Sequence, residues 1–369
     1  MVFSYSWEMD HKSSTILASV CQSWRASAIE MPKIWSYIPF DGSFPVEHVQ
    51  LHTARSGNLP LHTRITGQTD NATEKAFIQV AHRVECLYLE GAPNLIENTY
   101  PLVEKLTLVL STDFDRYFFH TSPNPLEVSS FPRLQELTVI AFTSSQLKAL
   151  SVGLGFPPLK ALSISWRGEN AIKIIQHCSE TLVSLELLFS TGEYHLSPLF
   201  LPRLKRLSAI TMITGSFRTV QEINAPQLRE LTLYNVLPAG SRAALPRVRL
   251  FPHPPSVADL YVSGATFDLA LFPCLRKLWV RGVPSHLQPR VSSLKEGILS
   301  CTELESIHFA CYAGDARETT RLERMLLEVI QASPRNVALE VIDPQDRRIF
   351  GHGYSPVCYS IHVIRLVLM

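Results

Sequence analysis

Apolar and polar positions alternate in short bursts along this chain, and the bursts share one spacing. Val84-Glu85-Cys86-Leu87-Tyr88-Leu89 places large apolar residues first, fourth and sixth. The same spacing returns at Val103–Leu108, Leu134–Val139, Leu159–Ile164, Leu182–Leu187 and Leu204–Ala209. It continues at Leu228–Leu233, Val257–Val262, Leu275–Val280 and Leu304–Phe309, with a weaker copy around Val337–Val341. Inside each burst the period is two, as in Leu231-Thr232-Leu233, which predicts a short strand with one face in a core and one face outward. Between bursts the period changes. Thr73–His82 (Ala76, Phe77, Val80), Asn170–Cys178 (Ile172, Ile175), Val291–Leu299 (Leu294, Ile298) and Glu318–Gln331 (Leu322, Met325, Leu326, Ile330) show helical spacing. Other returns, 111–131 and 238–256, are rich in proline and predict irregular chain. Pro132, Pro158, Pro202, Pro226 and Pro273 stand shortly before a repeat leucine, where a missing N–H suits a strand entrance.

The bursts start about 18 to 31 residues apart, close to the leucine-rich-repeat period of roughly 20–29. Such repeats bury their apolar edge only by stacking on neighbours. The expected fold class is therefore α/β, an irregular leucine-rich-repeat solenoid of short parallel strands with helical or irregular returns over residues 72–342. The Asn that usually follows the second leucine is missing, with Ala92 and Val236 at corresponding places, so turn-to-turn specification by an Asn ladder is not expected.

Residues 1–40 carry no repeat. Ser13 or Ser14 can cap a helix whose apolar face is Ile16, Leu17, Val20, Cys21 and Trp24, and Pro32 suits the first turn of a second short helix presenting Ile34, Trp35 and Ile38. Gly42, Pro45, Gly57, Pro60 and Gly67 mark residues 41–71 as a connector. Residues 343–369 fit no repeat and read as a tail or cap, with 361–369 either a last edge strand or a truncated terminus.

Composition changes the picture mainly by exclusion. Apolar residues make up 46% of 369, enough for a continuous core and too many for disorder. The formal charge of +1 gives no broad field to steer nucleic acid or an anionic membrane, and neither is expected as a partner. Seven scattered cysteines, Cys21, Cys86, Cys178, Cys274, Cys301, Cys311 and Cys358, include no Cys-x-x-Cys pair and read as small hydrophobes in a reducing compartment. No signal-peptide pattern opens the chain and no apolar run approaches the roughly 18 residues of a membrane span, so a cytoplasmic or nuclear location is expected.

Chemistry-bearing motifs are sparse. Asp113 and Asp115 lack a third metal ligand, and the 13 histidines show no His-Glu-x-x-His spacing. Gly153-Leu154-Gly155 is an isolated Gly-x-Gly, and the Arg242, Arg247, Arg249 run reads as a solvated loop. No catalytic residue, metal or cofactor is expected.

Val20-Cys21-Gln22-Ser23-Trp24-Arg25 followed by Met31-Pro32-Lys33-Ile34-Trp35 resembles the second half of an F-box, with its Val-Cys-x-x-Trp-Arg and Pro-x-Leu-Trp pattern. Leu51, Arg55-Ser56-Gly57 and Pro60-Leu61 resemble a segment common after the F-box in fungal F-box proteins with leucine-rich repeats. The family's opening Leu-Pro-x-Glu-Ile stretch has no counterpart in Met1 to Ser14, so residues 1–40 are similar to a partial F-box only. The resemblance implies a substrate-recognition subunit of a cullin-based ubiquitin ligase, not an enzyme itself. Val20, Cys21, Trp24, Arg25, Pro32 and Trp35 would then serve docking on the Skp-family adaptor, with both tryptophans equally readable as core of a helical cap. The alternative is a repeat scaffold that binds proteins without recruiting the ligase.

For the unknown protein target, the outward strand positions are the candidates. Repeats seven to ten set Tyr234, Tyr261, Trp279, Arg281 and His308 on neighbouring rungs, and Tyr, Trp and Arg are the residue types enriched at interface hot spots; the alternative is that these aromatics pack on each other or on a C-terminal segment.

Overall fold

The computed structural model describes residues 13–40, 46–67, 70–91, 95–96, 98–110, 126, 128–151, 157–166, 168–189, 198–211, 223–235, 256–263, 269–282, 301–311, 324–325, 327–328, 331 and 337–342. The predicted helix at Val291–Leu299, most of that at Glu318–Gln331, the paired Asp113 and Asp115, Gly153-Leu154-Gly155, the 242–249 arginines and residues 343–369 lie outside the described residues. The chain divides into two compact units, Met1–Leu182 and Val183–Met369.

In the first unit, helices α1 (Ser13–Val20) and α2 (Gln22–Ile29) lead through a 3₁₀ turn at Pro32–Trp35 into strand β1 (Tyr37–Phe40). Helix α3 (Val46–Arg55), strand β2 (Leu61–Thr66), helix α4 (Asn71–Val80) and strand β3 (Val84–Glu90) follow. Then come β4 (Lys105–Leu110), β5 (Glu136–Ala141), helix α5 (Ser144–Ser151), β6 (Ala161–Trp166) and helix α6 (Glu169–His177). Strands β1 to β6 pair in sequence order and every pairing is parallel.

The second unit repeats the scheme. It contains β7 (Ser184–Phe189), β8 (Leu199–Phe200), β9 (Arg206–Thr211), β10 (Ile223–Asn224), β11 (Glu230–Asn235), β12 (Asp259–Ser263), β13 (Lys277–Gly282), β14 (Ser306–Cys311) and β15 (Ala338–Ile342). Strands β7, β9, β11, β12, β13, β14 and β15 form one parallel series. The short β8 and β10 pair separately, Leu199 with Ile223, and the sequence pattern gave no sign of them. The class is α/β with parallel strands, as expected.

Two local devices recur along the rungs. The first is a turn ahead of the strand. Leu134, Leu204, Leu228 and Leu275 donate their N–H groups to the carbonyls of Phe131, Leu201, Ala225 and Phe272, three residues back, at 3.1–3.2 Å. Pro132, Pro202, Pro226 and Pro273 occupy the second position of these turns, where a fixed φ suits the chain reversal. Their role is thus to shape the turn that inserts two buried apolar residues, its first and its last, beneath the strand. The second device is a doubled bond at the strand entrance. The N–H groups of Arg229 and Glu230 both reach the Lys205 carbonyl, and those of Ala258 and Asp259 both reach the Arg229 carbonyl, at 2.8–3.0 Å. The pattern recurs from Gln135 and Glu136 on the Glu104 carbonyl to Glu305 and Ser306 on the Arg276 carbonyl. It links one rung to the next without the missing Asn.

Inward strand positions are the repeat leucines, all buried: Leu87, Leu106, Leu137 and Leu162 in the first unit, Leu207, Leu231, Leu260 and Leu278 in the second. Behind them in the first unit runs a row of aromatic rings. Phe40, Phe77, Tyr100 and Phe131 follow one another at centroid separations of 5.3, 6.0 and 5.1 Å. The Tyr100 hydroxyl donates to the Leu95 carbonyl, and burial pushes its pKa up.

The segment 41–71, read as a connector from its glycine and proline breakers, holds α3 and β2 and pairs β2 between β1 and β3. Gly57, Pro60 and Gly67 mark helix and strand ends instead, while Gly42 and Pro45 lie outside the described residues. Gly57 adopts φ +58° just after α3, a left-handed conformation that glycine enters at low cost. Arg83 completes that helix end, donating from Nη1 to the Thr53 carbonyl at 3.4 Å and from Nη2 to Ser56 Oγ and the Leu59 carbonyl at 2.9 Å. Ile38, expected on a short helix with Trp35, lies instead on β1, buried against the core. Among the described residues, no helix is long and apolar enough to cross a membrane.

Candidate functional site

Two surfaces carry the sequence candidates, one in each unit. The first is the α1–α2 pair. A single amphipathic helix through Ile16, Leu17, Val20, Cys21 and Trp24 was expected, its tryptophan readable either as core or as part of a docking surface. The backbone at Cys21 is extended instead (φ −158°, ψ 173°), so α1 stops at Val20 and α2 begins at Gln22. Cys21 acts as the N-cap, its Sγ accepting from the Trp24 N–H at 3.5 Å. The face is also turned outward: Ile16 is 52% exposed, Val20 55%, Trp24 41% and Ile29 44%. What anchors α2 is its opposite side, where Ala28 packs with Ile34 and Trp35, supported by Ala18, Met31 and Leu51. Arg25 holds the two helices together, donating from Nε to the Ala18 carbonyl at 2.9 Å. Pro32, exposed, opens the 3₁₀ turn.

Trp35 is fully buried and cannot itself touch a partner. Its Nε1–H donates to the Ala28 carbonyl at 2.7 Å, fixing α2 over the first rung. His52 on α3 meets it edge-to-face at a centroid distance of 5.0 Å, and the Arg55 guanidinium lies 4.3 Å from the ring centroid. Burial holds the His52 pKa down at about 4, against the opposing pull of the Tyr37 carbonyl, 3.0 Å from Nδ1. A carbonyl only accepts, so the bond to Tyr37 requires a proton on Nδ1, and a backbone bond with Trp35 opposes the burial in the same way. The sequence flagged Trp35 but not His52, which looks like any other surface-helix histidine until its neighbours are in place.

The second surface is the outward face of the second unit. Strand register brings Thr232, Tyr261, Trp279 and His308 into one row across β11 to β14. Tyr261 and Trp279 stack at 4.1 Å between centroids and 7° between planes, and Trp279 and His308 at 4.8 Å and 10°. Parallel stacking across neighbouring strands leaves Trp279 only 8% exposed although it points outward. His308 Nε2 lies 2.9 Å from Ser306 Oγ. Tyr234 and Arg281 belong to the next outward row, on either side of Ser263, so the five candidates occupy two adjacent rows.

Toward the strand entrances the next row reads Arg206, Glu230, Asp259, Lys277 and Ser306. Burial, then the charges of Asp259 and Glu230, push the Tyr261 hydroxyl up to about 12. The first unit presents a different outward face. The Arg64 guanidinium covers the Tyr88 ring at 4.7 Å, and the Tyr88 hydroxyl donates to Glu90 Oε2 at 3.0 Å. Lys105 and Glu136 pair at 2.9 Å on adjacent strands. Among the described residues, no group of three His, Cys, Asp or Glu side chains is placed to hold a metal ion.

No family model matches this chain, and no curated protein matches it. Among solved structures, the "Crystal structure of TLR13-ssRNA13 complex" is similar over 82% of this chain and 45% of that one, at 15% identity and a TM-score of 0.42, so this chain spans less than half that neighbour's length.

Proposed function

We propose that this chain is a non-catalytic substrate-recognition subunit of a cullin-based ubiquitin ligase, built as a partial F-box followed by an irregular leucine-rich-repeat solenoid. The α1–α2 helices dock on the Skp-family adaptor, and the outward strand face holds a protein target in the cytoplasm or nucleus. No bond is made or broken by this chain. It raises the effective concentration of the target near the ubiquitin-loaded enzyme.

The observation that carries this reading is the solvent-facing apolar set Ile16, Val20, Trp24 and Ile29 on two short helices. Large apolar side chains grouped on one small element mark an interaction surface more than scattered ones do. The motif positions divide the work. Trp35 and Ala28 fix the helices, while Val20 and Trp24 face outward for contact. A second reading, a protein-interaction scaffold that does not recruit the ligase, is favoured by the burial of Trp35, which gives that half of the motif a purely structural task.

A pull-down of purified Skp-family adaptor on the whole chain separates the two readings. Val20→Asp serves as the control, because an exposed side chain can be changed without opening the core. Capture by the native chain and loss in the Val20→Asp variant, with its circular dichroism unchanged, supports ligase recruitment. No capture by the folded native chain sinks it and leaves the scaffold.

A further inference from the structure

The same repeat position carries a tyrosine in both units, but only one of the two rings is covered. Tyr88 follows Leu87 on β3 and Tyr261 follows Leu260 on β12, each at the fifth position of its burst. The register neighbour of Tyr88 on the preceding strand is Arg64, whose guanidinium lies over the ring at 4.7 Å. The register neighbour of Tyr261 on its preceding strand is Thr232, which is too short to cover a ring. Trp279 stacks on the other face of Tyr261 at 4.1 Å. Among the described residues, no ring and no cation covers the face toward Thr232.

The row beside that open face carries two acids at its centre and a base at either end. Glu230 and Asp259 are direct register partners on β11 and β12. Adjacent strands lie about 4.8 Å apart, and like charges directly opposite one another are destabilising. Arg206 and Lys277 flank this acid pair in the same row. Among the described residues, neither carboxylate makes an ion pair with them or with any other base. A ring with one open face, beside two repelling carboxylates, attracts a cation that lies flat on the ring and accepts both acids as counter-charges.

We propose that the face of Tyr261 over Thr232 binds an arginine side chain of a partner protein, with Tyr261 as the stacking surface and Glu230 and Asp259 as its counter-charges. Arg64 on Tyr88 is the intramolecular precedent for the geometry. Trp279 and His308 back the tyrosine and hold its ring upright, so little side-chain freedom is lost on binding. This rests on the outward strand face being the target surface and is independent of adaptor docking.

The test uses the whole chain and three pools of fluorescein-labelled nonapeptides, randomised except for a central Arg, Gln or Glu, read by fluorescence anisotropy. Binding to the Arg pool is expected to exceed binding to the Gln pool by about tenfold, the size of a partly desolvated cation–π contact with a charge partner. Thr232→Arg is the decisive variant, since it places this chain's own arginine where Arg64 sits on Tyr88. It should abolish the Arg-pool preference while leaving the fold intact by circular dichroism. Glu230→Gln combined with Asp259→Asn should reduce that preference without touching the core. Equal binding of the three pools, lost on Trp279→Ala, keeps the target surface but overturns the arginine assignment. Arg-pool binding unchanged in Thr232→Arg overturns it as well. No binding of any pool above the background of an unrelated folded protein overturns both the assignment and the reading of this face.

Discussion

Mild acid is expected to lower the stability of the fold, and His52 is one of the groups responsible. Its ring lies edge-on to Trp35 and is buried, which lowers its pKa from 6.5 to about 4. The unfolded chain therefore binds more protons than the folded chain between those two values. The stability His52 protects is fully present above the unfolded pKa and is lost as pH falls through the folded one. At about pH 5 the linkage relation gives a loss near 2 kcal/mol relative to neutral pH, rising toward about 3 kcal/mol below the folded pKa. That is a large share of the roughly 5–15 kcal/mol that holds a typical domain together. Urea unfolding followed by circular dichroism, run at about pH 7 and pH 5, measures the whole acid effect, carboxylates included. The His52→Gln variant isolates the histidine, because its amide can still donate to the Tyr37 carbonyl but does not titrate. The acid-induced loss should be about 2 kcal/mol smaller in the variant. Equal losses in the two proteins would refute the assignment of His52 as a buried neutral ring.

Trp35→Phe keeps an aromatic ring in the same site but removes the Nε1–H that reaches the Ala28 carbonyl. The Ala28 carbonyl keeps its bond from the Met31 N–H, so the lost hydrogen bond and the missing ring atoms should cost about 1–3 kcal/mol, read as a lower urea midpoint, with faster amide exchange in α1 and α2. Lys105→Gln breaks the Lys105–Glu136 pair, whose side chains are 57% and 49% exposed. Its cost should stay below about 1 kcal/mol and shrink further in high salt, as thermal unfolding would show.

The parallel strands were legible because every rung repeats the same inward choice. Leu137, Leu231 and Leu278 are apolar for one reason, burial beneath the sheet, and the period of two records it directly. The helices α4 and α6 were legible for the same reason at a different period. Helix α5 escaped because Ser144-Ser145-Gln146-Leu147 offers little apolar spacing; Gln146 Oε1 instead accepts the N–H groups of Phe142 and Thr143 and shapes the entry to the helix. The break at Cys21 escaped because apolar spacing runs straight through it, while a single extended residue ends one helix and caps the next. On the outward face the residue types were readable in advance, and mutual packing of the aromatics was one of two readings, but the stacked geometry was not. Stacking of Tyr261 on Trp279 depends on register across the return between β12 and β13, and nothing local to either strand encodes it.

Comparison of Tyr88 with Tyr261 explains how one chain can carry a closed site and an open one on the same frame. The inward neighbours, Leu87 and Leu260, bury the same apolar side chain on the same strand position, so the core does not distinguish the two rungs. Outward side chains lie on the opposite side of the pleat and change without altering that core. Where β2 places an arginine beside Tyr88, β11 places a threonine beside Tyr261 with the same parallel pairing, so among the described residues no cation covers that ring. In the first unit the internal arginine satisfies the tyrosine, and the surface there is closed by Arg64, Glu90 and the Lys105–Glu136 pair. In the second unit the corresponding attraction is left for a partner, with two opposed carboxylates adding to it. The Thr232→Arg variant therefore tests more than one contact. If the second unit can be closed by copying a side chain from the first, recognition in this fold resides in the outward row alone, and the repeats beneath it act as a neutral support.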